Sequence, residues 1–205
     1  MSLPAHKLRS TEKPPLALHD RAMDDLRYIR ETMERSASFT HVSGMGVIAM
    51  GCIALGAGVA AWGTTELWSW LGIWLGAAIV SFAAAIYLMD RKSRSEGMTL
   101  LTGPGRKFAW NVVPPLVVGA VLTVGSLRVG AVSLLPGSWL MLYGAAVVAA
   151  GSHSVRPVPV MGVSFMAVGI AALLSPPAWG DAFMAAGFGG LHLLFGLVIW
   201  RRHGG

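Results

Sequence analysis

Residues 67–94 read LWSWLGIWLGAAIVSFAAAIYLMDRKSR, an apolar run over residues 67–89 that ends in a cluster of charges. A helix needs about 20 apolar residues to cross the ~30 Å hydrocarbon core of a bilayer. Five further segments have this character, at about 42–62, 108–127, 134–151, 157–175 and 181–200. The sequence therefore predicts an all-α fold, a polytopic integral membrane bundle of six transmembrane helices.

The composition supports this class. Charged residues make up 13% of the chain and hydrophobic residues 54%, whereas about a quarter of the residues in a soluble domain are charged. The charges cluster in residues 1–41 and 90–107, outside the apolar segments. The first forty residues lack the apolar core and cleavage site of a signal peptide, so the first crossing is expected to direct insertion.

The positions of the cations predict the orientation. With the N-terminus inside, the cytoplasmic parts are 1–41, 90–107, 152–156 and 201–205, and every Lys and Arg except Arg128 lies in them. Cytoplasmic loops carry an excess of Lys and Arg. We therefore expect both termini in the cytoplasm. The same rule accounts for the basic isoelectric point of about 10.1 without a nucleic-acid partner.

The N-terminal arm precedes the first crossing. Residues 1–16 are expected to form a flexible tail, residues 17–40 a cytoplasmic amphipathic helix, and residues 41–205 the six-helix transmembrane domain. Leu26, Ile29 and Met33 recur at helical spacing and form one apolar stripe. This helix could lie on the inner leaflet, pack against a partner or a second copy, or extend the first crossing.

Eight cations are candidates for contact with a partner or with lipid headgroups, because they lie on this helix or in the basic segment 90–107. They are Arg27, Arg30, Arg35, Arg91, Lys92, Arg94, Arg106 and Lys107.

Four stretches of the chain carry a resemblance: AMDDLRYIRETMERSASFT, LTGPGRKF followed by VPPLVVGAVLT, SVRPVPVMG, and GFGGLHLLFGLVIWRRHGG. Together they are similar to an uncharacterised family of small bacterial inner-membrane proteins, over almost all of residues 17–205. The resemblance implies six membrane helices in a bacterial inner membrane and no established activity or functional residue. Such proteins are often encoded beside a DNA-binding regulator, which implies a regulatory partnership.

Enzyme motifs are missing from the sequence. It holds no Walker loop, GxSxG, HExxH or CxxC pattern, and Cys52 is the single cysteine. We therefore predict a protein that is not an enzyme, with no catalytic residue, no metal ligand and no cofactor. Proton-coupled carriers usually need carboxylates or bases deep within the membrane segments, and His192 is the only such group deep in the six apolar segments.

His192 is the one histidine well inside an apolar segment. It could be a neutral ring that makes an interhelical hydrogen bond, since charging it inside the bilayer costs several kcal/mol. Alternatively, it could belong to a polar pocket with Asn111 and the proline pair Pro114 and Pro115. Paired haem ligation is disfavoured, because His192 is expected about 12 Å deeper than the entrance where His41 lies.

Small residues are expected to let helices approach closely. The pairs with this spacing are Gly72 and Gly76, Ala186 and Gly190, and Cys52 and Gly56, and they leave a homo-oligomer open. Trp74, the deepest tryptophan, is expected to pack between helices.

Two functions stay open at this point. The first is a non-enzymatic membrane subunit or sensor that acts through a cytoplasmic regulatory partner. The alternative is a carrier or binding protein for an apolar or lipid-like small molecule. A haem or quinone redox subunit is more remote.

Overall fold

The computed structural model describes residues 15–36, 42–95, 103–152 and 154–204, except for the side chains of residues 15–19, 31, 34–36, 103 and 104. The chain forms two compact units, residues 1–37 and 38–205. Most of the tail expected over residues 1–16, and residues 96–102 of the loop expected over residues 90–107, lie outside the described residues.

The first unit contains helix α1, Pro15–Ser36. Its proline start is favourable, because the first helical residue needs no backbone N–H donor. Leu26, Ile29 and Met33 are 61%, 52% and 68% exposed. No described residue of the same unit therefore packs over the predicted apolar stripe. Arg27 lies 3.7 Å from Asp24, and both side chains are largely exposed. Such an exposed ion pair contributes little to stability.

The second unit is built from helices throughout its described part, which confirms the all-α prediction. The helices are α2 Gly44–Ala61, α3 Leu67–Ser95, α4 Gly103–Val129, α5 Leu135–Gly151 and α6 Pro157–Leu174. A composite element follows, with a 3₁₀ turn at Pro177–Trp179, α7 at Gly180–Met184, a π-helical segment at Ala185–Leu191 and α8 at His192–His203. Six helices are thus long and apolar enough to cross a membrane.

Glycines lie where two helix pairs, α2 with the last helical element and α5 with α6, approach most closely. A Cβ atom at Gly144 of α5 would lie 2.6 Å from the carbonyl oxygen of Gly162 on α6, and one at Gly51 of α2 would lie 3.0 Å from that of Gly189. Only a glycine allows backbones to come this close. The glycines in contact recur every seventh residue: Gly44, Gly51 and Gly58 on α2, and Gly137, Gly144 and Gly151 on α5.

The small-residue pairs expected to form these contacts do not form them. At Gly56, Gly72, Gly76 and Gly190, a Cβ would meet nothing within 4 Å among the described residues. Cys52 is exposed as well. The expectation that these pairs pack helices within the chain is therefore wrong, because each faces away from the neighbouring helix.

Lys92 links residues near the beginning and the end of the described part of the second unit, which are far apart in sequence. Its side chain is buried, and its ammonium donates to the carbonyl oxygens of His203 at 2.7 Å and Val42 at 3.4 Å. Beside it, Ser43 accepts a hydrogen bond from the backbone N–H of Gly46 and caps α2. The beginning of α2 and the end of α8 therefore lie at the same end of the bundle.

Tryptophan contacts fasten the opposite end. Trp70 of α3 stacks on Trp139 of α5 with 5.5 Å between ring centroids, and its indole N–H donates to Asp181 at 2.7 Å. These contacts connect α3, α5 and α7.

Glu66 lies immediately before α3 and accepts hydrogen bonds from the first-turn N–H groups of Trp68 and Ser69. Hydrogen bonds from the side chain and backbone of Ser69, and from the backbone of Trp68, hold the pKa of the Glu66 carboxyl below its usual range. A carboxylate at this position also interacts favourably with the helix dipole.

Candidate ligand cavity

A cavity of about 240 Å³ lies within the second unit. Residues from α2, α3, α4 and α5 line it, together with residues of the composite element over Pro177–His203. The lining is mainly apolar and includes no Asp, Glu, Lys or Arg among the described residues. Six of the side chains have flat rings: Trp74, Phe82, Trp139, Tyr143, Phe188 and His192.

Helical periodicity explains which residues reach the cavity. Trp74, Ala77, Ala78, Ser81 and Phe82 of α3 are spaced by three, four, seven and eight residues from the first, so they share one helix face. Their placement turns a single face of α3 toward the cavity.

His192 is held by two hydrogen bonds. Its Nδ1 lies 2.7 Å from the Phe188 carbonyl oxygen, and its Nε2 lies 2.7 Å from the Tyr143 hydroxyl. A carbonyl oxygen can only accept, so Nδ1 carries a proton. Charging a ring that is 2% exposed is costly, so Nε2 carries none and accepts from the Tyr143 hydroxyl. The structure thus places His192 in an interhelical hydrogen bond with Tyr143. Both nitrogens are engaged by protein groups, which leaves no free lone pair for a metal in this arrangement.

Aromatic rings pack around this pair. Phe165 lies edge-on to Tyr143 with 4.9 Å between centroids and 5.0 Å from the His192 ring. Phe188 lies 5.3 Å from Tyr143. Aromatic contacts of this geometry add stabilisation beyond the area they bury. Phe165 and Phe188 therefore help to hold the Tyr143–His192 pair in place.

The π-helical segment lies next to this pair. It covers Ala185–Leu191 and ends immediately before His192. Segments of this kind are rare and frequently occur at functional sites. Phe188, whose carbonyl accepts from His192, lies in this segment and lines the cavity.

The predicted polar pocket is only partly assembled. Pro115 and His192 line the same cavity. Asn111 donates to the carbonyl oxygen of Lys107 one turn earlier on its own helix at 2.9 Å, and Pro114 is exposed. Neither of these two residues lines the cavity.

The cationic candidates lie in different environments. Six of them are exposed: Arg27, Arg30, Arg91, Arg94, Arg106 and Lys107. Arg94 forms a 2.7 Å ion pair with Asp90. Lys92 differs, because it is buried against carbonyl oxygens and does not face a partner or a headgroup. The side chain of Arg35 is outside the described residues.

The cavity has a side without close helix packing. Among its neighbours, α3 packs mainly on α2, and α4 packs mainly on α5. Both α3 and α4 line the cavity, yet they do not pack extensively on one another in the described part of the chain. Leu75 of α3 and Ala120 of α4 line the cavity and are nevertheless exposed, so apolar side chains border this open side.

Tyr143 was missed by the sequence reasoning. A signal existed, because Tyr143 is the tyrosine that lies furthest inside an apolar segment, and a buried tyrosine hydroxyl usually finds a hydrogen-bond partner. Nothing in the sequence, however, connects it with a histidine 49 residues later.

Comparison of this chain with protein-family models, curated proteins and solved structures found no match. The resemblance to an uncharacterised membrane family therefore stays a prediction.

Proposed function

We propose that this protein binds an apolar or lipid-like small molecule in the cavity, as a carrier or binding protein rather than an enzyme. The cavity itself carries the proposal. Binding sites are usually concave and mostly apolar, with a few placed polar groups. This cavity matches that description, since the Tyr143–His192 pair and the Ser81 and Thr123 hydroxyls lie among aliphatic and aromatic side chains.

The absence of charged side chains among the described lining residues favours a neutral ligand, because burying an unpaired ion is costly. The gap between α3 and α4 gives such a molecule a route of entry from the hydrocarbon phase.

Ligand extraction tests this proposal. The protein is purified from native membranes, and bound small molecules are identified by mass spectrometry. Ala78→Leu places a larger side chain in the cavity lining and should reduce the bound molecule. Ala83→Leu is the matched control, since Ala83 is exposed on the same helix and does not line the cavity. Equal recovery from both variants and the wild type would contradict the proposal.

We also propose that the bundle spans a bacterial inner membrane with both termini in the cytoplasm. The division of cations supports this orientation, as does the position of Val42 and His203 at one end of the bundle. Reporter fusions at residues 65, 130, 178 and the C-terminus test the orientation. An externally active C-terminal fusion would exclude it.

A second candidate is a membrane subunit or sensor that acts through a cytoplasmic regulatory partner. The exposed apolar stripe of α1 favours it, because three large side chains on one face are open to an incoming surface. Arg27, Arg91 and Arg106 are exposed cations that could contact such a partner or anionic lipid.

Affinity purification separates the two candidates. Reproducible copurification of one soluble protein, lost when residues 1–40 are deleted, would support the partner. A Cβ at Gly72 or Gly76 would meet nothing within 4 Å among the described residues, so this face has room for a second copy. Crosslinking from Gly72→Cys in a Cys52→Ser background tests a homo-oligomer in the same preparation.

A further inference from the structure

Trp74 carries a hydrogen-bond donor that lacks an acceptor. Its side chain lines the cavity and is 4% exposed. Its Nε1 is buried and has no hydrogen-bond partner among the described residues. An indole N–H can only donate, and a buried donor without an acceptor destabilises the structure that holds it.

The neighbouring tryptophans do not share this property. Trp70 donates to Asp181, and Trp139 donates to the Thr123 hydroxyl at 2.8 Å. Indole groups in this region are thus generally supplied with acceptors by the protein. The exception is Trp74, on the cavity-facing stripe of α3. Its Nε1 is enclosed by protein atoms, so a ligand in the cavity supplies the missing acceptor only when the indole turns toward it.

The other polar groups restrict the ligand further. The hydroxyl hydrogen of Tyr143 is used by His192, and the Thr123 hydroxyl donates to the carbonyl of Gly119. The donor left for a ligand by these assignments is Trp74, with the Ser81 hydroxyl as an adaptable neighbour. The matching ligand group is a neutral oxygen acceptor, and a carbonyl oxygen is such a group.

The ring-lined walls indicate the shape of the ligand. Rings contributed by α3, α5 and the last crossing offer flat faces and edges on which a planar head group can stack. A cavity of about 240 Å³ holds a small ring system but not a long chain. The gap between α3 and α4 allows a tail to continue into the hydrocarbon phase.

We propose that the cavity binds the head group of a tailed quinone: the Trp74 indole turns toward the head group, a ring carbonyl accepts the hydrogen bond from its N–H, and the tail leaves between α3 and α4. This assignment rests on the proposed ligand-binding function. It concerns binding alone and involves no electron transfer.

The test compares three probes with one tail on purified full-length protein in detergent: an alkyl benzoquinone, the corresponding alkylbenzene without oxygen, and an alkyl methyl ester. Binding is followed by equilibrium retention and by the rise in unfolding temperature. One neutral hydrogen bond corresponds to about a three- to tenfold change in affinity. We expect the quinone to bind by at least that factor more tightly than the alkylbenzene, which has no acceptor. We also expect it to bind more tightly than the ester, which has an acceptor but no ring to stack on the aromatic walls.

Trp74→Phe keeps an aromatic side chain and removes the donor. It should reduce quinone affinity about three- to tenfold and leave the alkylbenzene unchanged. Trp68→Phe is the matched control, because Trp68 is 69% exposed and does not line the cavity. The wild-type comparison of probes stands even if Trp74→Phe does not fold.

Equal binding of quinone and alkylbenzene to the wild type would overturn this inference and leave the proposed function standing. Equal binding of the ester and the quinone would overturn the assignment of a ring head group. If no probe binds and native preparations yield no small molecule, both the inference and the proposed function are wrong.

Discussion

The hydrogen bond between Tyr143 and His192 is expected to stabilise the bundle measurably. Tyr143→Phe removes the hydroxyl and changes little else in shape. His192→Leu removes both ring nitrogens and leaves the Tyr143 hydroxyl and the Phe188 carbonyl without their partner. His192→Gln keeps a donor and an acceptor, so we expect its stability to stay close to that of the wild type.

The magnitude follows from the geometry. Both bonds of the His192 ring are 2.7 Å long and join neutral groups. A neutral hydrogen bond contributes about 0.5–1.5 kcal/mol net, and bonds between membrane helices average about 0.6 kcal/mol with a maximum of about 1.7. We expect a coupling energy of about 0.6–1.5 kcal/mol between the two residues, and His192→Leu should cost more than Tyr143→Phe because it breaks two bonds.

A double-mutant cycle on the free energy of unfolding, measured by denaturant titration in detergent micelles, isolates this bond. Tyr87→Phe is the control, since Tyr87 is 66% exposed. If the single-variant effects add to within about 0.3 kcal/mol in the double variant, the reasoning about this pair is wrong. If His192→Gln loses ligand as completely as His192→Leu while unfolding like the wild type, the ring acts on a ligand instead.

Three further outcomes are expected, each measured as unfolding of the purified protein in detergent. Gly144→Ala should destabilise by about 1–3 kcal/mol, because its methyl would press on backbone of α6, whereas Gly72→Ala has open space and should be neutral or slightly stabilising. Lys92→Met should cost about 1.5–3 kcal/mol, as expected for hydrogen bonds to a charged group, while Arg91→Met at an exposed site should cost little; equal effects would refute the carbonyl contacts. The pKa of Glu66 is lowered from 4.5 in the folded state, so its stabilisation is present above that pH and is lost as the pH falls through the folded value. Wild-type stability should therefore decline more on acidification than that of Glu66→Gln, and parallel pH profiles would show that the carboxylate does not stabilise α3.

Local chemistry was sufficient to predict the helices. Length and hydropathy belong to each segment separately, and the six apolar runs appear as six long apolar helices. One helix end differs from the prediction, because the charged residues there are paired or buried and do not end the helix. Helix α3 continues from the expected end at residue 89 to Ser95, because Lys92 is buried there against carbonyl oxygens and Arg94 pairs with Asp90.

The sequence by itself thus determined which segments are helical, how many there are and where the cations gather. Only the tertiary structure decided how each helix is rotated about its axis. That rotation sets Gly144 against α6 and turns Gly72 outward, although both are glycines in apolar helices. It also brings Tyr143 to His192 and leaves Asn111 bonded within its own helix. In helices that are apolar on every side, no polar face fixes the rotation, so it follows from the mutual packing of whole surfaces, which sequence spacing does not record.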